Sequence, residues 1–366
     1  MLGSDRIDAL EVAVFRVPLD APEADGTLTW DHTTVVTTTA RCGGLTGLGL
    51  TYGSPACATV IREQLAPVVI GSSGGDPPAA WHAMVRAIRN DGRPGIVSMG
   101  IAAVDIALWD LAAKLAGRPL CQLLGQLRRS VPIYGSGGFT SLRTRDLVEQ
   151  LTGWVDQGIP RVKMKVATSW GTMPERDLVR VAEVRRAIGE TSALFVDANG
   201  GYRPKQAARL APAFEDEGVS WFEEPVSSDH VEVLARIRRQ TRMDVAAGEY
   251  GYDLAYFSNL CRAGAVDVVQ IDVSRCAGIT EWRRIAALAS GHGLEVSGHC
   301  APSLHVAVAC STPNVAHLEY FADHARADRL LFDGVVDPVA GELEPDRSVP
   351  GHGLSIAGRA DRWRTA

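Results

Sequence analysis

Apolar and polar residues alternate one by one along the first stretch of the chain. IDALEVAVFRVPL and TTVVTTTARCGGLTGLGLTYG carry β-branched residues at a period of two, which predicts strands of a hairpin or meander. The polar stretch DAPEADGTLTWDH between them predicts a loop. The period then changes to that of helices in ATVIREQLAPVVI, PPAAWHAMVRAIRN and the long SMGIAAVDIALWDLAAKLAGRPLCQLLG. Gly117 followed by Pro119 stops that last helix. Residues 1–130 therefore read as an α+β unit.

After Pro132 the pattern changes again. Eight short β-rich runs appear: VPIYGSGG, RVKMKVA, ALFVDANG, SWFEEP, DVAAGEY, VDVVQID, LEVSGH and AHLEYF. Helical segments such as ERDLVRVAEVRRAIG and GITEWRRIAALASGHG lie between them. Strands alternating with helices make a parallel sheet, and eight units over about 200 residues match a closed α/β barrel, a TIM barrel, across residues 131–335. An open doubly wound sheet is the competing architecture, but no GxGxxG follows an early strand. The tail, residues 336–366, is rich in Gly and Pro and is expected to pack back on the first domain.

Composition narrows the function classes. The 366 residues are 46% hydrophobic and 22% charged, which excludes a disordered chain, a collagen or a coiled coil. There are 37 basic and 43 acidic residues, a net charge of −6, so neither nucleic acid nor an anionic membrane is an expected partner. No uninterrupted apolar run approaches the roughly 18 residues of a membrane span. The N-terminal MLGSDRIDALEVAVF has no basic segment leading into an apolar one, so no signal peptide is expected. The 7 cysteines are odd in number and irregularly spaced, which reads as reduced thiols in a cytoplasmic protein. Cys300 follows a histidine of interest. A Cys/His nucleophilic pair is one reading, and a small residue at a strand end is the preferred one.

The candidate chemistry lies at the strand ends. Lys163 and Lys165 close the second barrel run, Asp197 the third, Glu223 the fourth, Glu249 the fifth, Asp272 the sixth, His299 the seventh and Glu319 the eighth. Any one acid there could cap the helix that follows. Recurring with the architecture, at the ends that converge on one barrel mouth, the set points to a site. Asp197, Glu223 and Glu249 form an all-oxygen donor set suited to Mg²⁺, with Mn²⁺ as the alternative, rather than to zinc. Such an ion acts as a Lewis acid on a substrate carboxylate. Lys163 and Lys165 flank Met164 and so share a face; two ammonium groups that close are expected to lower each other's pKa until one serves as a base. Asp272 beside His299 would fix the imidazole tautomer and raise its basicity. Glu224 faces opposite to Glu223 and is read as a supporting acid; Arg275, three after Asp272, could reach substrate, with a surface or supporting role the preferred reading.

These residues, with the helix AAVDIALWDLAAKLAGRPLCQLLG, resemble the enolase superfamily, specifically its mandelate racemase subgroup, over nearly the whole chain. The resemblance implies a modified TIM barrel, (β/α)7β, under an N-terminal α+β capping domain, with Mg²⁺ and abstraction of the proton α to a carboxylate. It implies Asp197, Glu223 and Glu249 as metal ligands, Lys165 as the base on one face, and His299 supported by Asp272 as the acid/base on the other. Glu319 and Lys163 would hold the substrate carboxylate and the enediolate. Homo-oligomers, dimers or octamers, are also implied. The chemistry needs this charge, because removing such a proton builds a dianion.

Three outcomes stay open. Dehydration of a sugar acid to a 2-keto-3-deoxy acid is favoured by the polar loop, which the resemblance sets over the site. Trp30, Asp31 and His32 on it, with Tyr52, Ser136 and Asn199, are the candidate substrate contacts. Racemisation or epimerisation of a 2-hydroxy acid is the alternative. A non-catalytic metal-binding relative is the third, disfavoured because all the polar positions are kept. A muconate-type cycloisomerase is disfavoured because a lysine is expected where Asp272 stands, and a metal-dependent hydrolase because VPIYGSGG has no HxH.

Overall fold

The computed structural model describes residues 6–366. Three antiparallel strands in spatial order β1-β2-β3 form the cap sheet: β1 (Ala9–Ala24), β2 (Thr29–Cys42) and β3 (Leu45–Tyr52). The expected loop DAPEADGTLTWDH is largely strand. Glu23 pairs with Trp30 and Ala24 with Thr29, after a register shift between Pro18 and Glu23. That bulge absorbs the Pro-containing polar stretch and lets pairing resume. The turn itself is only Asp25–Leu28, held by Asp25 Oδ1, which accepts from the Thr27 and Leu28 backbone N–H groups.

The helix Ile96–Leu115 lies across β3, and glycines make the approach possible. A Cβ on Gly47 or Gly49 would stand 2.1 Å from the carbonyl oxygens of Ala107 and Ala103 respectively. This helix is the one described segment long and apolar enough to cross a membrane by length and composition, although Asp105, Asp110 and Lys114 interrupt its apolar sequence. Its apolarity has a local cause: 83% of its most apolar window is buried in the cap core. The preceding segment ATVIREQLAPVVI is not one regular helix, since a π-turn at Ile61–Leu65 interrupts it.

Eight parallel strands form the barrel: β4 (Val131–Ser136), β5 (Arg161–Lys165), β6 (Ala193–Asp197), β7 (Val219–Glu223), β8 (Asp244–Ala247), β9 (Val268–Ile271), β10 (Glu295–Gly298) and β11 (Val315–Phe321). They neighbour one another in chain order, and β11 pairs with β4 to close the ring. Register sets the site. Lys165 lies opposite Asp197, Asp197 opposite Glu223, and Lys163 opposite Ser136. Because strand neighbours alternate sides, Lys163 and Lys165 point into the barrel with Phe195, Asp197, Trp221 and Glu223. Tyr134, Phe195, Trp221 and Val268 fill the interior below them. A helix after the last strand, Ala322–Leu331, reaches the cap strand β2. The tail touches both parts: Glu342–Leu343 pairs with β4, and Thr365 and Ala366 exchange backbone hydrogen bonds with Val14.

Candidate active site

At the barrel mouth the carboxylates and lysines interlock. Lys163 Nζ is 2.5 Å from Glu223 Oε1, 2.8 Å from Glu319 Oε1 and 3.6 Å from Asp197 Oδ2, and it has no exposed surface. Lys165 donates to Asp197 Oδ2. Trp221 Nε1 donates to Glu223 Oε2 at 2.9 Å, which ties the hydrophobic floor to the acidic layer. Asn199 donates its backbone N–H and its amide to Asp197. Its φ of 46° folds the chain back sharply enough to make both bonds.

On the opposite side His299 Nδ1 is 2.9 Å from Asp272 Oδ2. Asp272 Oδ1 accepts from the Ser274 N–H and hydroxyl, both at 2.7 Å, so the carboxylate that orients the imidazole is itself fixed. With Nδ1 committed, Nε2 faces Glu249 Oε2 at 3.4 Å and Glu319 Oε2 at 3.8 Å. Glu319 also accepts from the Ser136 hydroxyl and the Cys300 N–H. Arg275, read from sequence as a surface or supporting residue, borders the mouth with Nη1 3.7 Å from Glu249 Oε1 and Nε 3.6 Å from Asp272 Oδ2.

Lys163 does push the pKa of Lys165 down, but the net lowering expected from the pair does not result. Burial pushes both ammonium groups down, but the carboxylates from neighbouring strands outweigh burial and mutual repulsion together, and both pKa values rise. The expectation considered only the strand that carries the lysines. Burial opposes ionisation of Glu319, yet Lys163 and then His299 hold it well below its usual range. His299 is pushed down by burial and pulled above its usual value by Glu249 and by Asp272. Glu223 is pushed up to about 8 by burial and then by the charge of Asp197.

The acidic triad suits a divalent cation. Asp197, Glu223 and Glu249 each offer an oxygen, all within 4.8 Å of one another. Glu249 Oε2 is buried with no hydrogen-bond partner. An orphaned buried carboxylate oxygen is costly, and a cation among these three groups removes that cost and the repulsion on Glu223.

A cavity of about 600 Å³ opens over this layer between barrel and cap. Lys165, His299, Glu249 and Asn199 border it from below, and Trp30, His32 and Tyr52 from the cap. Two expected substrate contacts lie elsewhere. Asp31 does not line the cavity; its side chain is 72% exposed and bonds His32, because alternation on β2 turns it outward. Ser136 is fully buried below the mouth, where it serves Glu319. Tyr52 borders the cavity, but its hydroxyl donates to Asp328 and its ring stacks on His324 at 3.5 Å.

Asp323, His324 and Asp328 were missed in the sequence. They sit on the helix after β11, where Asp323 accepts from the Thr33 hydroxyl at 2.6 Å and Asp328 from Ser303. The alternation of polar residues in ADHARADRLL was a weak signal for them. His305, with no partner evident in the sequence, accepts from the Val273 N–H at 2.9 Å and braces the loop that carries Asp272.

Residues 9–125 match the Mandelate racemase / muconate lactonizing enzyme N-terminal domain, and residues 146–360 match the Enolase C-terminal domain-like family. The chain belongs to the mandelate racemase / muconate lactonizing enzyme family of the enolase superfamily. A family protein from Rubrobacter xylanophilus of known structure is 48% identical over 98% of this chain and 100% of its own, with a TM-score of 0.95. The 3,6-anhydro-alpha-L-galactonate cycloisomerase of Streptomyces coelicolor is 32% identical over 96% of this chain and 97% of its own length. The L-talarate dehydratase of a Polaromonas species, solved with Mg and L-glucarate, is 30% identical over 99% of this chain and 98% of its own, with a TM-score of 0.90. Relatives 28–32% identical include dehydratases and cycloisomerases of sugar acids, and the acidic triad is a cluster able to hold magnesium.

Proposed function

We propose that this protein removes the proton α to the carboxylate of a sugar acid and then expels the β-hydroxyl as water, giving a 2-keto-3-deoxy acid. The observation that carries the reading is the cavity bordered at once by Lys165, by His299 with its Asp272 support, and by Glu249 of the acidic triad. Asp197, Glu223 and Glu249 would hold Mg²⁺. When bound, that ion supplies Lewis-acid charge for the substrate carboxylate.

The chain's own residues do the rest. Lys163 and Glu319, paired at 2.8 Å, would help hold the substrate carboxylate, Lys163 as a fixed positive charge. Lys165 Nζ and His299 Nε2 are the two proton carriers. One takes the α-proton and the other protonates the departing β-hydroxyl, so the C–H and C–O bonds break and water leaves. The enol that results becomes the keto acid by taking a proton at carbon. Trp30, packed edge-on to Phe139 at 5.6 Å, and Tyr52 line the cavity on its cap side. The cycloisomerase relative supports a second reading, in which the same proton abstraction serves an isomerisation without loss of water.

The test is a library of aldonates and aldarates with Mg²⁺, read for keto acid by semicarbazide and for α-hydrogen exchange by NMR in D2O. Keto acid with loss of water supports dehydration. Exchange or isomerisation with unchanged elemental composition supports the second reading. Exchange confined to simple 2-hydroxy acids would end both.

A further inference from the structure

The proposed reaction gives Cys300 no task, although its thiol stands beside the proton carrier. Cys300 follows β10 with φ at 49°, in the left-handed region that L side chains rarely occupy. Its Sγ is 3.3 Å from His299 Nε2 and 3.4 Å from Glu319 Oε2. The third edge, Nε2 to Oε2, is 3.8 Å. A nitrogen, a sulfur and an oxygen thus form a small buried triangle.

Those edges are close to the ones a tetrahedral zinc ion needs. Zn–N and Zn–O bonds of about 2.0–2.2 Å with a Zn–S bond of about 2.3 Å place donors roughly 3.4–3.6 Å apart. Glu249 Oε2 lies 3.4 Å from His299 Nε2 but belongs to the acidic triad, so the zinc donors are His299, Cys300 and Glu319 alone. The donor types also discriminate. Mg²⁺ selects oxygen, whereas thiolate and imidazole select zinc. Among the described residues no other cysteine shares a group of this kind.

We propose that His299, Cys300 and Glu319 form a zinc site that silences the enzyme when filled. The Cys300 thiol gives up its proton to solvent as the S–Zn bond forms. The zinc ion then occupies the Nε2 lone pair that proton transfer requires. Binding stands on geometry alone, and only the inhibitory consequence rests on the function proposed above.

The probe is Co²⁺, titrated into full-length protein saturated with Mg²⁺. A thiolate-to-cobalt charge-transfer band in the near ultraviolet is expected, displaced by Zn²⁺, absent from Cys300→Ser and retained in Cys261→Ser. Absence of the band in the wild type, or its survival in Cys300→Ser, overturns the site. Zinc-edge absorption on the wild type serves if Cys300→Ser fails to fold. A sulfur neighbour at about 2.3 Å supports the site, and a shell of oxygen and nitrogen alone overturns it. Zinc that fills the site yet leaves α-hydrogen exchange untouched overturns the inhibitory role. Failure of every sugar acid with the band intact overturns the proposed reaction and leaves the metal site standing.

Discussion

The barrel mouth and the cap hairpin face the same cavity but are held in place differently. At the mouth each polar side chain leaves the end of its own strand, and β-register aligns it with the next; Lys165, Asp197 and Glu223 lie at one level for that reason. In the cap, position depends on contacts made far along the chain. Tyr52 is fixed by Asp328, 276 residues away, and Thr33 by Asp323, 290 residues away. The mouth is thus built by local periodicity and the cap by tertiary packing. On the proposed function, chemistry would belong to the first and the choice of substrate to the second.

The largest effects are expected at the mouth. Lys165→Ala and His299→Ala should each lower turnover by roughly 10²- to 10⁴-fold, the range for removing a positioned proton carrier. NMR of α-hydrogen exchange should find each variant blocked toward one face of the substrate. Retention of near-wild-type exchange by both variants would break the comparison, since the mouth would then hold no chemistry. Metal removal comes next. Chelation should abolish turnover, and Mg²⁺ should restore it. Glu249→Gln should resist rescue, because it weakens the triad at an oxygen that has no hydrogen-bond partner. Calorimetric Mg²⁺ binding by Glu249→Gln equal to the wild type would exclude that oxygen from the ion's shell.

How far each region could be read from sequence follows the same division. The strand-end acids, the Lys163/Lys165 pair and the Asp272–His299 pair were legible, because a period of two and a recurring βα unit place them without knowledge of distant contacts. The lysine pKa direction was not, since Glu223 and Glu319, which raise Lys163, come from strands two places away on either side around the ring. The hairpin was misread as a loop because its bulge hides the pairing that resumes at Glu23 and Trp30. Asp323 and Asp328 carry no motif; only the return of their helix beneath the cap gives them meaning.

Tyr52→Phe sharpens the comparison from the cap side. It keeps the ring on His324 and removes the hydroxyl that donates to Asp328. Leaving that buried carboxylate oxygen unpaired should cost about 1–3 kcal/mol of stability by urea unfolding. The cost should depend on pH. Burial pushes Asp328 up to about 6, so the folded state takes up a proton as pH falls through that value, while the unfolded chain does so only at lower pH. The Asp328 contribution is therefore more favourable below about pH 6 and is lost above it. The tyrosine hydroxyl favours the ionised form, so the penalty of Tyr52→Phe should be greatest above pH 6 and shrink below it. An equal penalty on both sides would show that the carboxylate is not the partner that matters.

The smallest effect, and the sharpest test of where the cap meets substrate, is Asp31→Ala. Its neighbours His32 and Trp30 border the cavity, whereas Asp31 points outward beside Arg16 and is absent from the lining. Exposed ion pairs of this sort contribute little. The variant should therefore melt with the wild type and keep kcat/KM within about twofold, the size of an ordinary surface substitution. Trp30→Ala should instead raise KM, because it opens the cavity wall against Phe139. A rise in KM for Asp31→Ala comparable with that of Trp30→Ala would mean that the hairpin rotates by one strand face when substrate binds. The cap would then select substrates by moving rather than by the surface it presents at rest.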